Sequence, residues 1–346
     1  MTDHSKTKPI LRVLAGEPLS RRPIWFMRQA GRYLPEYRQL RANAGDFMTL
    51  CFTPKLASEI TLQPIRRFGF DGAILFSDIL VIPHALGQKL WFAEGEGPKL
   101  EKLAAADFAK LKTSNLLARL APIFETVVSV RAALPSSVTL LGFAGAPWTV
   151  ANYMIAGGSS DESEHLRRFM YQHPEGLEGL MDLLVEATSA YLIEQVRAGA
   201  EALQVFESWG AAIPANRLDQ LSITPIQRII SEVRRHCPDI PFIVFPRGTG
   251  ARYGDYARLT GTNGLSVDYQ TSLAGLKSLV GGKIALQGNL DPMLLATGGS
   301  ALARAVSEIL AATNGSPHIF NLGHGIRQET PLENVQKVID QIRNVS

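Results

Sequence analysis

A chain of 346 residues, 46% hydrophobic and 19% charged, is long enough to bury a substantial core in one large domain or two ordinary ones. No run nears the roughly eighteen apolar residues of a bilayer span, and a net charge of +3 dispersed along the chain supplies no basic tract, so neither membrane nor nucleic acid is expected as a partner. Cys51 and Cys237, neither in a CxxC pair, exclude a disulfide-rich framework and fit a reducing compartment.

The polar opening, Met1 to Lys8, has no apolar signal core behind it. Residues 1–9 therefore read as a flexible N-terminus, 10–346 as a single domain, and the cytoplasm as its location. Short apolar segments bounded by Gly and Pro predict strands over 24–27, 71–76, 138–143, 202–207, 242–245, 264–268, 283–287 and 318–322. Helical spacing fills the intervals: 54–67, then 108–133 with Leu116, Leu120, Ile123 and Val127 on one face, then 176–197 with Leu177, Leu180, Leu184 and Tyr191. Further helices are expected over 222–236, 270–280, 292–312 and 331–344.

Alternating strands and helices demand a parallel sheet, and eight such units favour an α/β fold of the (β/α)8 TIM-barrel type over an open doubly wound sheet. No strand is followed by GxGxxG, so no nucleotide cofactor is inferred. Residues 144–175 read as an extended loop after strand three, either an active-site lid or a surface excursion.

Barrel enzymes do their chemistry beyond the C-terminal ends of their strands. Polar residues expected there are Arg28 and Arg32 after the first strand, Asp78 after the second, Tyr153 after the third, Ser208 after the fourth, Arg247 after the fifth and His324 after the eighth. Paired guanidinium groups suit carboxylates, although Arg28 and Arg32 also fit a salt-bridged surface with Glu36. Asp78 has three readings: helix cap, salt-bridge partner, or acceptor for several N–H donors.

The segments PIWFMRQAGRYLPEYR, FSDIL, GFAGAPWTVANYM, VFESW and NLGHG, spread over residues 23–325, together closely resemble the uroporphyrinogen decarboxylase family. The resemblance implies a homodimeric barrel enzyme that needs neither metal nor organic cofactor. Its reaction would convert uroporphyrinogen III, through partially decarboxylated intermediates, to coproporphyrinogen III by removing CO2 from four acetates while keeping four propionates. It implies Arg28, Arg32, Asp78, Tyr153, Ser208 and His324 as polar site residues and Phe143 and Phe206 as pocket walls, with Gln29 and Arg41 as additional contacts. One departure from the family pattern is Gly210-Ala211, where an alanine-glycine pair is the expected order; it would adjust the turn beside Ser208.

Such a substrate carries pyrrole N–H groups at its centre and carboxylates at its rim, which one buried acceptor ringed by arginines would match. Asp78 would then bind the N–H groups and stabilise a protonated pyrrole, with Arg28, Arg32, Tyr153 and His324 assisting. Two rival readings are a barrel methyltransferase using zinc and a tetrapyrrole carrier. The first needs a compact His/Cys ligand set, whereas His236-Cys237 stands far from Cys51 in sequence. A carrier would bind without changing the mass of its ligand.

Overall fold

The computed structural model describes residues 8–93, 97–158, 163–282 and 284–344. Seven strands form one parallel sheet: β1 (Gly72–Ile74), β4 (Thr139–Gly145), β5 (Ala202–Glu207), β6 (Phe242–Pro246), β7 (Gly264–Ser266), β8 (Ala285–Gln287) and β9 (His318–Ile319), neighbours in that order. A hairpin of β2 (Leu90–Ala93) and β3 (Gly97–Leu100) stands apart from it. The helices in chain order are α1 (Pro9–Leu14), α2 (Pro35–Ala44), α3 (Phe47–Cys51), α4 (Pro54–Phe68), α5 (Val81–Leu86), α6 (Leu116–Ala133), α7 (Pro147–Ala156) and α8 (Glu164–Gln172). They continue with α9 (Pro174–Ala198), α10 (Thr224–His236), α11 (Tyr253–Leu259), α12 (Leu273–Val280), α13 (Pro292–Thr297), α14 (Gly299–Ala312) and α15 (Leu332–Asn344).

Strands β4, β5 and β6 are buried along their whole length, as a parallel sheet covered by helices requires. The covering faces follow helical spacing: α10 buries Ile226, Ile229, Ile230 and Val233, and α9 buries Leu177, Leu180, Leu184 and Tyr191. Each such side chain contributes roughly 1.5–3 kcal/mol by leaving water.

The expected first strand, 24–27, is not a ladder strand. Ile24 makes a single parallel bridge to Phe320, and its carbonyl accepts from Asp71 N at 2.9 Å. The N–H groups of Ile24, Phe26 and Met27 are taken instead by side chains: the Asp71 carboxylate, Gln29 Oε1 and Asn321 Oδ1. Arg28, at φ 63°, then turns the chain out of extended conformation. The regular sheet is thus an open seven-stranded one of barrel-like curvature class, with the 23–27 segment bonded to both of its edges.

Other expectations are also corrected. Lys8, placed in the flexible terminus, is buried and donates to Glu201 and to the Val138 carbonyl, and Pro9 already begins α1; residues 1–7 lie outside the described residues. The extended loop over 144–175 is mostly helix: α7 is buried on nearly every residue, and α8 follows. Small and apolar side chains from Ala146 to Ala156 were compatible with packing all along. The helix expected over 292–312 is broken at Gly298 (φ 75°), where a β-carbon would stand 2.8 Å from Asn334 Oδ1.

Candidate active site

At the C-terminal ends of the strands lies a cleft of 1380 Å³. It exceeds the roughly 300–1,000 Å³ of an ordinary small-molecule pocket, so it suits a large ligand. Asp78 reaches its floor from the turn after β1, where Asp78 Oδ1 accepts from Leu80 N at 2.8 Å. That bond closes a local Asx turn and leaves the second carboxylate oxygen without a hydrogen bond from the described residues. Surrounding protein raises the Asp78 pKa, while the Leu80 N–H and the nearby Arg28 cation oppose the rise.

Arginines line the opposite wall and rim. Arg28 and Arg32 come from the irregular stretch that follows the 23–27 segment, and Arg38 and Arg41 from α2. Arg38 is held by the Arg32 and Tyr33 carbonyls, and the Arg41 guanidinium sits 5.6 Å from the Phe47 ring centroid. Among the described residues, neither Arg28 nor Arg32 is paired with an acid. Unpaired guanidiniums facing a cleft are ready for an anionic ligand.

The remaining wall is aromatic. Phe143 and Phe206 meet edge to face at 5.7 Å, Phe206 meets Phe245 at 6.1 Å, and Phe245 meets the His324 ring at 6.4 Å. Ser208 lines the cleft one step beyond β5. His324 is carried by the loop after β9, which Ile326 N fastens to the Met27 carbonyl at 2.9 Å. His324 Nδ1 accepts from Gly325 N at 2.6 Å, so the neutral ring carries its hydrogen on Nε2. Burial first, and then Arg28, Arg247 and Arg327, push its pKa down to about 4.

Eight of the expected residues therefore line one cleft: Arg28, Arg32, Arg41, Asp78, Phe143, Phe206, Ser208 and His324. Tyr153 is half-buried on α7 behind this wall, its ring 6.5 Å from Trp209, close enough to feel the charges of Asp78 and Arg28. Gln29 is not on the wall: fully buried, it accepts from Phe26 N and donates to the Gly72 carbonyl, bracing the turn that presents Arg28. Sequence reasoning missed Tyr37, Arg38 and Phe47, which line the cleft because α2 and α3 were not foreseen. The Pro35 start and the Tyr37/Arg41 spacing were the available signals.

It also missed Glu207. This carboxyl points away from the cleft and is fully buried, accepting from Thr149 Oγ1 on α7 and, at 3.0 Å, from Ser222 Oγ, which itself accepts from Tyr256 Oη. Burial raises its pKa to about 7 against the pull of those two hydroxyls. The reversed Gly210-Ala211 pair has a packing reason. A β-carbon at 210 would lie 2.8 Å from Thr249 Cγ2, and Ala211 packs over Gly248.

A carboxylate floor, an arginine rim and an aromatic wall at the strand ends of a parallel α/β sheet define an enzyme for a broad polyanionic ligand. Among the described residues, no three or more His, Cys, Asp or Glu side chains gather as a metal-binding set, and no helix is long and apolar enough to cross a membrane. The family model described as uroporphyrinogen decarboxylase matches residues 5–345. The uroporphyrinogen decarboxylase of Rhodospirillum rubrum is 48% identical over 345 residues, covering 99% of each chain, and that of Maricaulis maris is 47% identical over 346 residues, covering 100% of each. A solved structure of a methyltransferase from Methanosarcina mazei superposes with a TM-score of 0.80 at 21% identity, covering 96% of this chain and 97% of that one, a likeness of fold alone. The chain belongs to the uroporphyrinogen decarboxylase family. It is a carbon–carbon lyase of tetrapyrrole biosynthesis that decarboxylates uroporphyrinogen.

Proposed function

We propose that the cleft removes CO2 from the four acetates of uroporphyrinogen III in turn, with Asp78 as the central catalytic group. The observation that carries this reading is the half-satisfied Asp78 carboxylate on the floor of a cleft rimmed by unpaired arginines. Its free oxygen suits converging pyrrole N–H donors, and Arg28, Arg32 and Arg41 suit the acetates. Phe143 and Phe206 pack the macrocycle, Ser208 adds a polar contact, and Tyr153 supports the Asp78 side of the cleft.

Chemically, a proton first adds to a pyrrole carbon and gives an iminium-like ring. The bond to the carboxylate then breaks, CO2 leaves, and its electron pair passes into the ring. Protonation of the exocyclic carbon creates the methyl group, and loss of the first proton restores the pyrrole. Asp78 stabilises the positive ring more than the neutral one, so its effect falls on the barrier. His324, neutral and with its hydrogen on Nε2, acts as a hydrogen-bond donor to a carboxylate rather than as a protonated acid.

In the same reading the 23–27 segment closes an eight-unit barrel, residues 10–346 form one domain, the enzyme is a cytoplasmic homodimer, and intermediates rebind in rotated orientations. The test is an anaerobic, metal-depleted assay with uroporphyrinogen III that follows CO2 and product mass. Four successive losses by the native enzyme, cut at least a hundredfold in folded Asp78→Asn, are expected. Undiminished product formation by Asp78→Asn would overturn its assigned role, and tight binding with no mass change would favour a carrier.

A further inference from the structure

Beside the cleft is a second hollow of 470 Å³ that shares Arg28, Arg32 and His324 with it. Its other wall is formed by Arg247, Arg327, Tyr269 and Met293. Arg247 stands after β6, where the sequence places a strand-end arginine to which the reaction gives no role. Its backbone is clamped on both sides: Arg247 N donates to the Glu207 carbonyl at 3.1 Å, and Ala211 N donates to the Arg247 carbonyl at 3.1 Å. Gly210 permits that approach, because a β-carbon there would lie 3.1 Å from the same carbonyl. A fixed backbone thus presents a half-buried guanidinium that, among the described residues, has no acidic partner.

The charge balance of the hollow is cationic. Four guanidiniums, those of Arg28, Arg32, Arg247 and Arg327, face two carboxylates. Asp291 is occupied in capping α13 through Met293 N, and Glu329 pairs with Arg327 at 2.9 Å on the exposed rim. Burial is the main cause of the low pKa of His324, and Arg28, Arg247 and Arg327 add to it while Asp268 opposes them. Tyr269 and Met293, 41% and 49% exposed, supply apolar lips. Apolar edges around unpaired guanidiniums match the rim of a ring system bearing carboxylates, and a hydrated small ion has no use for the apolar part.

We propose that this hollow is an outer carboxylate subsite: Arg247, with Arg327 at its edge, holds a side-chain carboxylate of a ring other than the one reacting. The inference rests on the reading that the cleft holds a porphyrinogen. Arg28 and Arg32, facing both spaces, then divide the ligand between a reacting acetate in the cleft and an anchored carboxylate outside it. Arg247 becomes a residue for affinity and orientation, remote from the bond that breaks.

The test uses the full chain as native enzyme, Arg247→Gln, Arg247→Lys and Arg327→Gln. Each is measured for uroporphyrin binding by fluorescence and for steady-state decarboxylation of uroporphyrinogen III. Arg247→Gln is expected to weaken uroporphyrin binding about tenfold and to raise KM by a similar factor, with kcat within about twofold, as loss of one partly screened charge-assisted contact implies. Arg247→Lys should recover most of that loss, and Arg327→Gln should show a smaller one. Unchanged binding and KM in folded Arg247→Gln would overturn the subsite, as would a loss in kcat that lysine does not restore. If added bicarbonate inhibits the native enzyme but not Arg247→Gln, with uroporphyrin binding intact, the hollow belongs to a free anion and the subsite is again overturned. Absence of CO2 release by the native enzyme would sink the decarboxylase reading by itself, and the binding comparison would still judge Arg247.

Discussion

Gly325 and Arg28 are packed so closely that position 325 has no room for a side chain: a β-carbon there would lie 2.9 Å from both Cγ and Nε of Arg28, and closer still to its Cδ. The arginine therefore runs over the bare backbone of the loop that carries His324, and the glycine sets where its guanidinium ends. Gly325→Ala should displace Arg28 from the wall of the cleft while the buried sheet stays intact. We expect kcat/KM to fall about tenfold or more, with overpacking costing about 1–3 kcal/mol of stability. Kinetics together with urea unfolding check this, and native kcat/KM in the variant would show that Arg28 is not placed by that contact.

The buried Glu207 carboxyl gives a stability prediction with a definite sign. Its pKa in the fold, about 7, lies above the ordinary 4.5, so between those values the unfolded chain has released a proton that the folded chain still holds. Stability contributed by the protonated group is complete below about pH 4.5 and is lost as pH rises to about 7, by on the order of 3 kcal/mol. Glu207→Gln keeps the shape and removes the titration. Urea unfolding across pH 5–8 should show the variant gaining on the native enzyme as pH rises through this window and levelling above it. Parallel profiles would show that the carboxyl is ionised in the folded enzyme throughout.

Asp78 and His324 were legible because the order of strands and helices fixes which sequence positions lie at strand ends, and strand ends converge wherever a parallel sheet curves, whereas Arg28 reaches the cleft from a segment that bonds to the sheet edges without being a ladder strand. Burial patterns along 202–207 and 242–245 made those strands readable for the same reason. Segment 24–27 was not, because its N–H partners are the side chains of Asp71, Gln29 and Asn321, and no local pattern announces a backbone satisfied from 47 residues away, as Ile24 is by Asp71. Gln29 was misplaced by the same blindness: a polar residue between two site arginines reads as a contact until its two scaffold hydrogen bonds are seen. Helix α7 was not foreseen because it carries no charged residue and is buried on nearly every side: its polar residues Thr149 and Asn152 are buried in protein, so the contrast between an apolar and a solvated face is missing.

His324 should not titrate in the working range. With its pKa pushed down to about 4, the ring is neutral at pH 5–8 and donates through Nε2. The profile of kcat against pH should therefore lack a step near the ordinary histidine value of about 6.5 that disappears in His324→Gln. NMR of ring-labelled histidine supplies a second reading, with the His324 resonances unmoved over that interval. A step of this kind that vanishes on substitution would make the imidazolium the working form.

Asp78 and Arg28 are coupled through charge, and under the proposed mechanism that coupling is expected to set the acid limb of the reaction. In the proposed mechanism Asp78 works as an ionised acceptor, yet burial raises its pKa above 3.8, and Arg28 is one of the groups holding the rise in check. Activity should fall on the acid side as Asp78 takes up a proton, at a pH above that of an ordinary aspartate. Removing the cation in Arg28→Gln makes ionisation harder, so the limb must move to higher pH in addition to any loss of acetate binding. Measuring kcat from pH 4 to 8 separates the two effects, because weaker acetate binding alone appears in KM and leaves the midpoint in place. A shift of the midpoint toward lower pH, or none in a folded variant, would mean that the group governing the acid limb is not Asp78.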